Sequence, residues 1–394
     1  MEATAALEAC PHRPPCPGCP RYGEAGPDAR ALEQLAALAR ELGAAELLPL
    51  QVESLPAGGH RHRARLMLRG RASSPKIGLF QEGTHRIADI PHCRVHHPAI
   101  NQIAAAAKRA IRATGAAPYA DRPHAGLLRA LQIAVERASG RAQVVVVANS
   151  PRAEPALAFC EALAREAAPL LHSLWWNGNP ERTNAILGPH WQHLSGPESV
   201  REELGGVGVH FTPGAFGQSH LELAARLGDS VDGWIPDGAD AIEYYAGSGA
   251  LGLRWLARAR RVVFNERSPD ALRALALGLA ERPEAERARA ELAPGAAGEH
   301  AERARAAELV VLDPPRRGLD AALLAALCDD PPRALIYASC GLDSFLREAP
   351  QLVASGRLRL AELRVFDLFP FTAHVETLAR FERVLHPSQH RSAR

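Results

Sequence analysis

The sequence predicts an α/β protein whose C-terminal half is a Rossmann-like domain with a parallel sheet. Residues 241–267 follow the order strand, glycine turn, helix and second strand, which is the order of one βαβ unit. Two later stretches, 309–320 and 334–343, each begin with a continuous apolar run and stop at a polar tip. Such runs are typical of strands that are buried on both faces in the middle of a parallel sheet.

The glycine turn of this unit has the composition of a site for a nucleotide-type cofactor. Gly247 and Gly249 carry no Cβ that would keep a ligand from the backbone amides, and the helix predicted at 251–259 would add a partial positive charge. Glu266 follows roughly 20 residues later, where a carboxylate can accept hydrogen bonds from two ribose hydroxyls. A Gly-x-Gly turn alone is also compatible with a structural bend. With Glu266 present, and Tyr245 before a turn that lacks a third glycine, S-adenosylmethionine fits better than NAD.

Composition indicates a globular protein of two or three domains. The chain has 394 residues, 47% of them hydrophobic, and a formal net charge of +2, which neither favours nor excludes a nucleic-acid partner. No apolar run reaches the length of a membrane span, and the N-terminus lacks the charged-then-apolar pattern of a signal peptide. We therefore expect a cytoplasmic protein without a membrane partner, and we expect a monomer.

Four cysteines indicate a metal centre. Cys10, Cys16 and Cys19 lie on a proline-rich segment that cannot be helical, and Cys93 lies in the distant stretch PHCRVHHP. Such a set can hold either zinc or an iron–sulfur cluster, and the spacing does not choose between them. A disulfide and unpaired cysteines in a flexible tail are weaker alternatives, because exposed thiols at this density would oxidise.

The N-terminal part of the chain predicts a mixed α/β domain over residues 1–218, which is followed by the catalytic domain over 219–394. Helices are predicted at 28–43, 98–114 and 154–166, and strands at 62–68, 77–80, 84–90, 127–136 and 143–148. Cys93 should close back on the N-terminal cysteines. The arginine- and histidine-rich stretches of this domain are compatible with RNA phosphates and, to the same degree, with a solvated face.

Polar residues mark the ends of the last predicted strands. Asp313 begins the proline-stiffened loop Asp-Pro-Pro-Arg, and Cys340 lies at the tip of the next strand. Ligands of doubly wound sheets bind at the carboxyl ends of the strands, so we expect the Asp313 loop to face the cofactor. Glu376 lies on a final hairpin-like segment, 365–383. For Cys340, the structural alternative is a small buried residue at a strand end.

Taken together, these motifs resemble the RNA uracil-5 methyltransferase family, whose members use S-adenosylmethionine to make 5-methyluridine in ribosomal and transfer RNA. The matching segments are the four cysteines, FGQSH at 216–220, EYYAGSG at 243–249 with Glu266, DPPR at 313–316, SCG at 339–341 and FPFTAHVE at 369–376. The resemblance implies a 4Fe–4S cluster on the cysteines, Cys340 as nucleophile and Glu376 as base. It also implies cofactor contacts from Gln218, Tyr245, Glu266 and Asp313. Between the two RNA classes, ribosomal RNA is the expected substrate.

The chain departs from the family pattern at several positions. Gly217 and His220 stand where the family has Phe and Asn, and Ala246 and Ala250 stand where it has Cys and Asn. The stretch 291–299 should contain a residue of the adenine-binding loop, but none can be assigned. The nine residues before the first cysteine are too few for the N-terminal RNA-binding barrel of many members, so RNA recognition is expected on the cluster domain.

The resemblance also implies a covalent mechanism. The thiolate of Cys340 adds to carbon 6 of uracil, carbon 5 then attacks the methyl-sulfonium, and Glu376 removes the carbon 5 proton. A base paired in a stem would have to flip out of its helix. One rival function is that of an amino-methyltransferase, which would use the Asp-Pro-Pro loop and need no thiol. A second is an RNA-binding protein that has kept the fold without binding the cofactor.

Overall fold

The computed structural model of the protein describes residues 9–384. Its α-helices are α1 (Ala29–Glu41), α2 (Pro98–Thr114), α3 (Glu154–Glu166), α4 (Leu221–Asp232), α5 (Pro269–Ala280), α6 (Glu284–Arg287), α7 (Arg303–Ala306), α8 (Ala321–Asp329) and α9 (Leu342–Val353). Its strands are β1 (Gln51–Glu53), β2 (Arg63–Arg71), β3 (Ser74–Phe80), β4 (Ile87–Asp89), β5 (Leu128–Val135), β6 (Ala142–Ala148), β7 (Leu171–Gly178), β8 (His190–Ser195), β9 (Val200–Leu204), β10 (Val207–Phe211), β11 (Asp240–Tyr244), β12 (Arg261–Glu266), β13 (Ala290–Pro294), β14 (Leu309–Leu312), β15 (Ala334–Ser339), β16 (Leu358–Phe366) and β17 (Glu376–Arg383). Over this range, no helix combines the length and apolar character that crossing a membrane requires.

The chain forms two compact units. The first contains Met1–Glu24, Pro56–Glu202 and His210–Leu221, and the second contains Ala25–Leu55, Glu203–Val209 and Glu222–Arg394, with 1–8 and 385–394 outside the described residues. The sequence-based boundary at 218/219 placed residues 25–55 in the first domain, whereas their contacts group them with the second unit. Leu35 and Leu38 of α1 are buried in the second unit's core, and β1 pairs with β16. Tertiary packing of this kind leaves no signal in the local sequence.

The first unit is built on a seven-stranded sheet with the order β4-β3-β2-β5-β6-β7-β8, in which only the β6–β7 pair is parallel. Helices α2 and α3 pack together on one face of it. Both helices have the bounds that the sequence predicts, and α2 ends at Gly115, whose φ of 68° is the left-handed conformation of a helix C-terminus. Val144 and Val146 of β6 face these helices, while Val145 and Val147 belong to a smaller cluster on the opposite face.

The second unit is built on an eight-stranded sheet with the order β1-β16-β17-β15-β14-β11-β12-β13. Its strands are parallel except for β17, which runs antiparallel to both β15 and β16. The strand order reverses between β11 and β14, and a crevice for ligands forms at such a point outside the carboxyl ends of the strands. The first residue of β17 lies at this same edge because the strand is antiparallel. This is the Rossmann-like arrangement that the sequence predicts.

Two local predictions in this unit were wrong. The helix expected at 251–259 is only a short 3-10 turn, Gly252–Trp255, because the Gly252 amide donates to the buried carboxyl group of Glu243 at 3.0 Å. A Cβ on Gly252 would lie 2.5 Å from the Phe264 ring, so the backbone is held close to the sheet. The alanine-rich stretch 271–307 is predicted as helix with at least one break at Pro294-Gly295, but it contains strand β13 as well as helices, since pairing with β12 outweighs the helical propensity of alanine.

Candidate active site

Three polar side chains from distant parts of the sequence lie at the ligand-binding edge of the second sheet. Asp313 directly follows β14, Cys340 directly follows β15, and Glu376 is the first residue of β17. The pairing places Ser339, the last residue of β15, opposite Thr377. The Thr377 hydroxyl also donates to the Ser339 carbonyl at 3.1 Å, within the buried part of the sheet. The β15–β17 pairing therefore holds the cysteine and the glutamate at neighbouring strand ends.

Glu376 and Asp313 form an electrostatically coupled pair of carboxyl groups. Glu376 is 1% exposed, and among the described residues its Oε2 atom has no hydrogen-bond partner. Burial, and after it the negative charge of Asp313, raises the pKa of Glu376 well above its usual value. Burial also raises the pKa of Asp313 to about 7. Close to neutral pH the pair therefore retains a proton, because two carboxylates that share a site repel each other and one of them stays protonated.

The thiol of Cys340 is protonated in this environment. Burial is the largest cause, and the charges of Glu376 and Asp313 add to it, so that the pKa of Cys340 rises to about 12. Arg316 acts in the opposite direction and lowers this pKa. The thiolate is the nucleophilic form of cysteine, so a role of Cys340 as nucleophile would need a proton acceptor or a nearby cation. Arg316 is a cation close enough to lower the pKa of this thiol, and the sequence predicted no role for it.

Arg316 is positioned by contacts on both sides of its loop. Its Nη1 atom lies 3.3 Å from His374 Nε2, and its guanidinium lies 5.8 Å from the centre of the Phe369 ring. The Ser344 hydroxyl is 3.1 Å from the Arg316 carbonyl oxygen. A Cβ on Gly341 would lie 2.4 Å from the same oxygen, so the glycine after Cys340 allows this loop to approach the cysteine.

Glu348, a buried carboxylate on α9, fixes the far end of the loop. It accepts hydrogen bonds from the Leu319 amide at 3.2 Å and from the Tyr337 hydroxyl at 2.6 Å. Gly318 has a φ of 92°, and a Cβ there would lie 1.9 Å from Glu348 Oε1. The loop that carries Asp313 and Arg316 is thus anchored to α9. Nothing in the sequence singles out Glu348, because it is one acidic position on an amphipathic helix.

The predicted ribose carboxylate, Glu266, ties the glycine turn to the end of β12. One of its oxygens accepts from the Gly247 amide at 2.8 Å, and the other accepts from the amides of Arg267 at 2.8 Å and Ser268 at 2.7 Å. A carboxylate has about four acceptor positions, so it can still accept from a ligand hydroxyl. Gly247 has a φ of 57°, and no atom lies within 4 Å of the place where its Cβ would be. A ligand can therefore approach the turn at this residue.

Neighbouring side chains give the rest of this edge of the sheet its shape. Tyr245 has a φ of 61°, which is uncommon outside glycine, and its hydroxyl accepts from the Asp320 amide at 2.9 Å. Asn265 donates to the carbonyls of Ala293 at 2.9 Å and Gly295 at 3.2 Å. It therefore orders the stretch 291–299, in which the sequence analysis could assign no residue. The sequence predicted no role for Asn265, although it directly precedes Glu266.

Two predicted cofactor residues have a different structural setting. A Cβ on Gly249 would lie 2.5 Å from Leu275 Cδ1, so this glycine is required by core packing whatever it contributes to a ligand. Gln218 belongs to the first unit and is half-buried, next to Phe216, which is 71% exposed. Gly217 leaves room for the guanidinium of Arg63, which a Cβ would approach to 2.6 Å. The cofactor contact of Gln218 stays a prediction.

In the first unit, Cys10, Cys16, Cys19 and Cys93 line a single pocket. Burial raises the pKa of three of these thiols, to about 11 for Cys19, and Arg61 partly offsets the effect at Cys19. Within 9–384, no three cysteine, histidine or acidic side chains are arranged so that they could hold a metal ion as they stand. The four soft donors thus surround one space, as the spacing predicts, without forming a ready-made metal site.

Known proteins are similar to this chain both in sequence and in fold. The model of the tRNA (Uracil-5-)-methyltransferase family matches residues 302–384, a range that contains Asp313, Cys340 and Glu376. An uncharacterized RNA methyltransferase of Protochlamydia amoebophila is 34% identical over 331 residues, which cover 82% of this chain and 86% of that protein. The chain belongs to the RNA uracil-5 methyltransferase family. It is therefore an S-adenosylmethionine-dependent RNA methyltransferase, and the family resemblance of its motifs is confirmed.

A second relative and one solved structure agree with this assignment. An uncharacterized RNA methyltransferase of Parasynechococcus marenigrum is 30% identical to this RNA methyltransferase over 336 residues, covering 83% of this chain and 70% of the relative. The crystal structure of Pyrococcus abyssi tRNA (uracil-54, C5)-methyltransferase in complex with S-adenosyl-L-homocysteine has a TM-score of 0.75, with 23% identity, and covers 93% of this chain and 86% of that one. At this identity the similarity shows the fold, and it confirms the Rossmann-like methyltransferase domain.

Proposed function

We propose that this RNA methyltransferase transfers the methyl group of S-adenosylmethionine to carbon 5 of a uridine in RNA through a covalent adduct of Cys340. The observation that carries the proposal is the position of a thiol and two coupled carboxyl groups at one edge of the sheet. Cys340, Asp313 and Glu376 reach this edge from three separate strand ends. An amino-methyltransferase has no use for the thiol, and a binding protein has no use for the buried carboxyl pair.

The carboxyl pair matches the proton transfers of this mechanism. The Cys340 sulfur adds to carbon 6 after its proton leaves, and carbon 5 then takes the methyl group as the sulfonium loses it. Glu376 next removes the carbon 5 proton, and the electrons of that bond re-form the ring double bond while the sulfur departs from carbon 6. Because its pKa is raised, the ionised Glu376 is a stronger base than an exposed carboxylate. Asp313, with a pKa of about 7, can take the thiol proton near neutral pH, and the proton that the pair already holds passes to solvent, so that Glu376 is ionised when it acts as the base.

The cofactor would bind along the glycine turn and the strand ends beside it. Gly247 presents an open backbone, and Glu266 is fixed next to it in a position to accept from ribose hydroxyls. Tyr245 and Asp313 flank this turn on the ends of β11 and β14, which supports their proposed contacts with S-adenosylmethionine. We retain Gln218 and Gly249 as cofactor residues on the family resemblance alone.

The four cysteines of the first unit would hold a 4Fe–4S cluster. Four soft thiol donors around one pocket are the donor set that such clusters require, and the positive charge of Arg61 favours the thiolate form of Cys19. Anaerobically purified protein should contain iron and acid-labile sulfide in equal amounts. Cys19→Ser should lose both, whereas Cys160→Ser, a buried cysteine outside the pocket, should keep them. Stoichiometric zinc without sulfide would contradict the cluster.

The test of the reaction is methyl transfer from labelled S-adenosylmethionine to total RNA from a strain that lacks the protein. We expect label in 5-methyluridine, and we expect it in the ribosomal fraction more than in transfer RNA. Label on an exocyclic amine, retained by Cys340→Ala, would instead indicate an amino-methyltransferase that uses the Asp-Pro-Pro loop. Failure to bind S-adenosylmethionine would indicate an RNA-binding protein without catalysis. Mapping the labelled nucleotide identifies the substrate.

A further inference from the structure

The two faces of the first unit's sheet differ in charge, and strand β2 shows the difference most clearly. Leu66 and Leu68 point into the core beneath α2 and α3. Because side chains alternate along a strand, the residues between and beyond them point to the opposite face. We call four cations of that face the basic strip, and they are Arg65, Arg69 and Arg71 of β2 and Lys76 of β3.

The sheet itself does not neutralise the basic strip. Across the strand pairs, Arg65 lies opposite Gln132, Arg69 lies opposite Lys76, and Arg71 lies opposite Ser74. Like charges directly opposite each other destabilise a sheet unless an acidic group compensates them, and Asp121 compensates the charge of Arg69 but not that of Lys76. Both Arg71 and Lys76 are exposed, and neither has an acidic group within 4.0 Å in the part of the chain that the structure describes.

The other two cations of the strip are held in place. Arg69 donates to both carboxylate oxygens of Asp121, at 3.1 and 3.2 Å, and its guanidinium lies 5.1 Å from the ring centre of Phe80. Arg65 donates through Nε to the Gln132 amide oxygen at 2.8 Å. From Arg65 to Arg71 the strand extends roughly 20 Å, at about 3.4 Å per residue. The strip is therefore an ordered row of cations with two free charges at one end.

We propose that the basic strip is the surface on which the phosphate backbone of the RNA substrate docks. This inference rests on the proposed function in so far as the substrate is RNA. A polyanion compensates the charges of Arg71 and Lys76, and a row of this length faces several successive phosphates of one strand, which lie about 3.4 Å apart along a duplex axis. The free Arg71 and Lys76 contact phosphates directly, while the fixed Arg65 and Arg69 set the direction of the backbone.

The test measures RNA binding as a function of salt. The probe is a fluorescein-labelled RNA hairpin with a uridine in its loop, followed by fluorescence anisotropy. Neutralising two phosphate contacts in R71A/K76A should reduce the slope of log K against log salt by about 1.4 for a single strand or about 1.8 for a duplex. The matched control is R112A/R165A, which removes the same charge from exposed positions on α2 and α3, on the other face. Its slope should equal that of the wild type.

Two further measurements make the result decisive. Thermal unfolding and the affinity for S-adenosylhomocysteine should be unchanged in R71A/K76A, and the reversal R71E/K76E should weaken hairpin binding further. The inference is overturned if the wild type does not bind the hairpin, if R71A/K76A keeps the wild-type slope, or if the control loses as much. A wild type that shows the strip-dependent slope but transfers no methyl group would contradict the proposed reaction and leave the docking surface intact.

Discussion

Replacing Glu266 tests the cofactor half of the site. In the structure its carboxylate accepts three backbone hydrogen bonds, from Gly247, Arg267 and Ser268, and a Cβ on Gly247 would lie in open space. Glu266→Ala removes these acceptors together with the proposed acceptor for the ribose hydroxyls. The substitution therefore changes both the ligand contact and the support of the turn.

The expected losses follow from the bonds removed. One charge-assisted hydrogen bond contributes roughly 1.5–3 kcal/mol, so the affinity for the cofactor should fall by about tenfold to about a hundredfold. Backbone amides that lose a partly exposed acceptor should lower the free energy of unfolding by about 1–3 kcal/mol in total. Glu266→Gln should be intermediate, because an amide oxygen can replace one carboxylate oxygen while the amide NH2 group faces a backbone N–H donor.

Calorimetric titration with S-adenosylhomocysteine measures this affinity, with Glu284→Ala on the exposed surface of α6 as the matched control. A 2′,3′-dideoxy analogue separates the ribose contact from support of the turn. The wild type should prefer the ligand with hydroxyls, and Glu266→Ala should lose that preference. Unchanged affinity in a folded variant, or a preference equal to that of the wild type, would place the ribose elsewhere.

Three other expectations concern the buried charges of the second unit. Burial is the largest cause of the raised pKa of Cys340, and the charge of Glu376 is the next. Glu376→Gln should therefore let iodoacetamide alkylate Cys340 at lower pH than in the wild type, which mass spectrometry of the Cys340 peptide measures. Coinciding plots of alkylation against pH for the two proteins would contradict this. Gly318→Ala should lower the free energy of unfolding, measured by urea titration, by about 1–3 kcal/mol, because the added Cβ would collide with Glu348. A change of less than about 0.5 kcal/mol would refute the collision. Burial raises the pKa of Glu243 well above 4.5, so the free energy of unfolding falls as pH rises from that value, because only the unfolded chain loses the proton. Glu243→Gln should therefore have a higher melting temperature than the wild type at pH 8 but not at pH 4. Equal melting temperatures of the two proteins at both pH values would refute the effect.

Strong local patterns allowed much of the fold to be predicted. Helices α2 and α3 were bounded correctly, and α2 carries clear end signals at Pro98 and Gly115. The ends of β14 and β15 were marked by an abrupt change from apolar residues to Asp313 and Cys340. The strand order then brings these residues to one edge, which follows from the parallel βαβ topology and needs no detail of packing.

Predictions failed where a tertiary contact overrides the local sequence. The turn at Gly252 is set by the carboxylate of Glu243, nine residues earlier, and a helical pattern in 251–259 cannot reveal that bond. Glu348 supports the Asp313 loop from a helix that begins after the next strand, and Asn265 shapes a loop that follows β13. Each acts through hydrogen bonds to groups that are distant in the sequence, and such bonds have no periodic signature.

The most direct test of the central claim is the fate of Cys340 during turnover. Glu376→Gln should allow addition to carbon 6 and methyl transfer but block removal of the carbon 5 proton. Labelled methyl groups should then accumulate in a protein–RNA complex that survives a denaturing gel, and this band should be absent from Cys340→Ala, which should transfer no methyl group. Methylation of carbon 5 by Cys340→Ala, or normal turnover without the band by Glu376→Gln, would contradict the covalent mechanism.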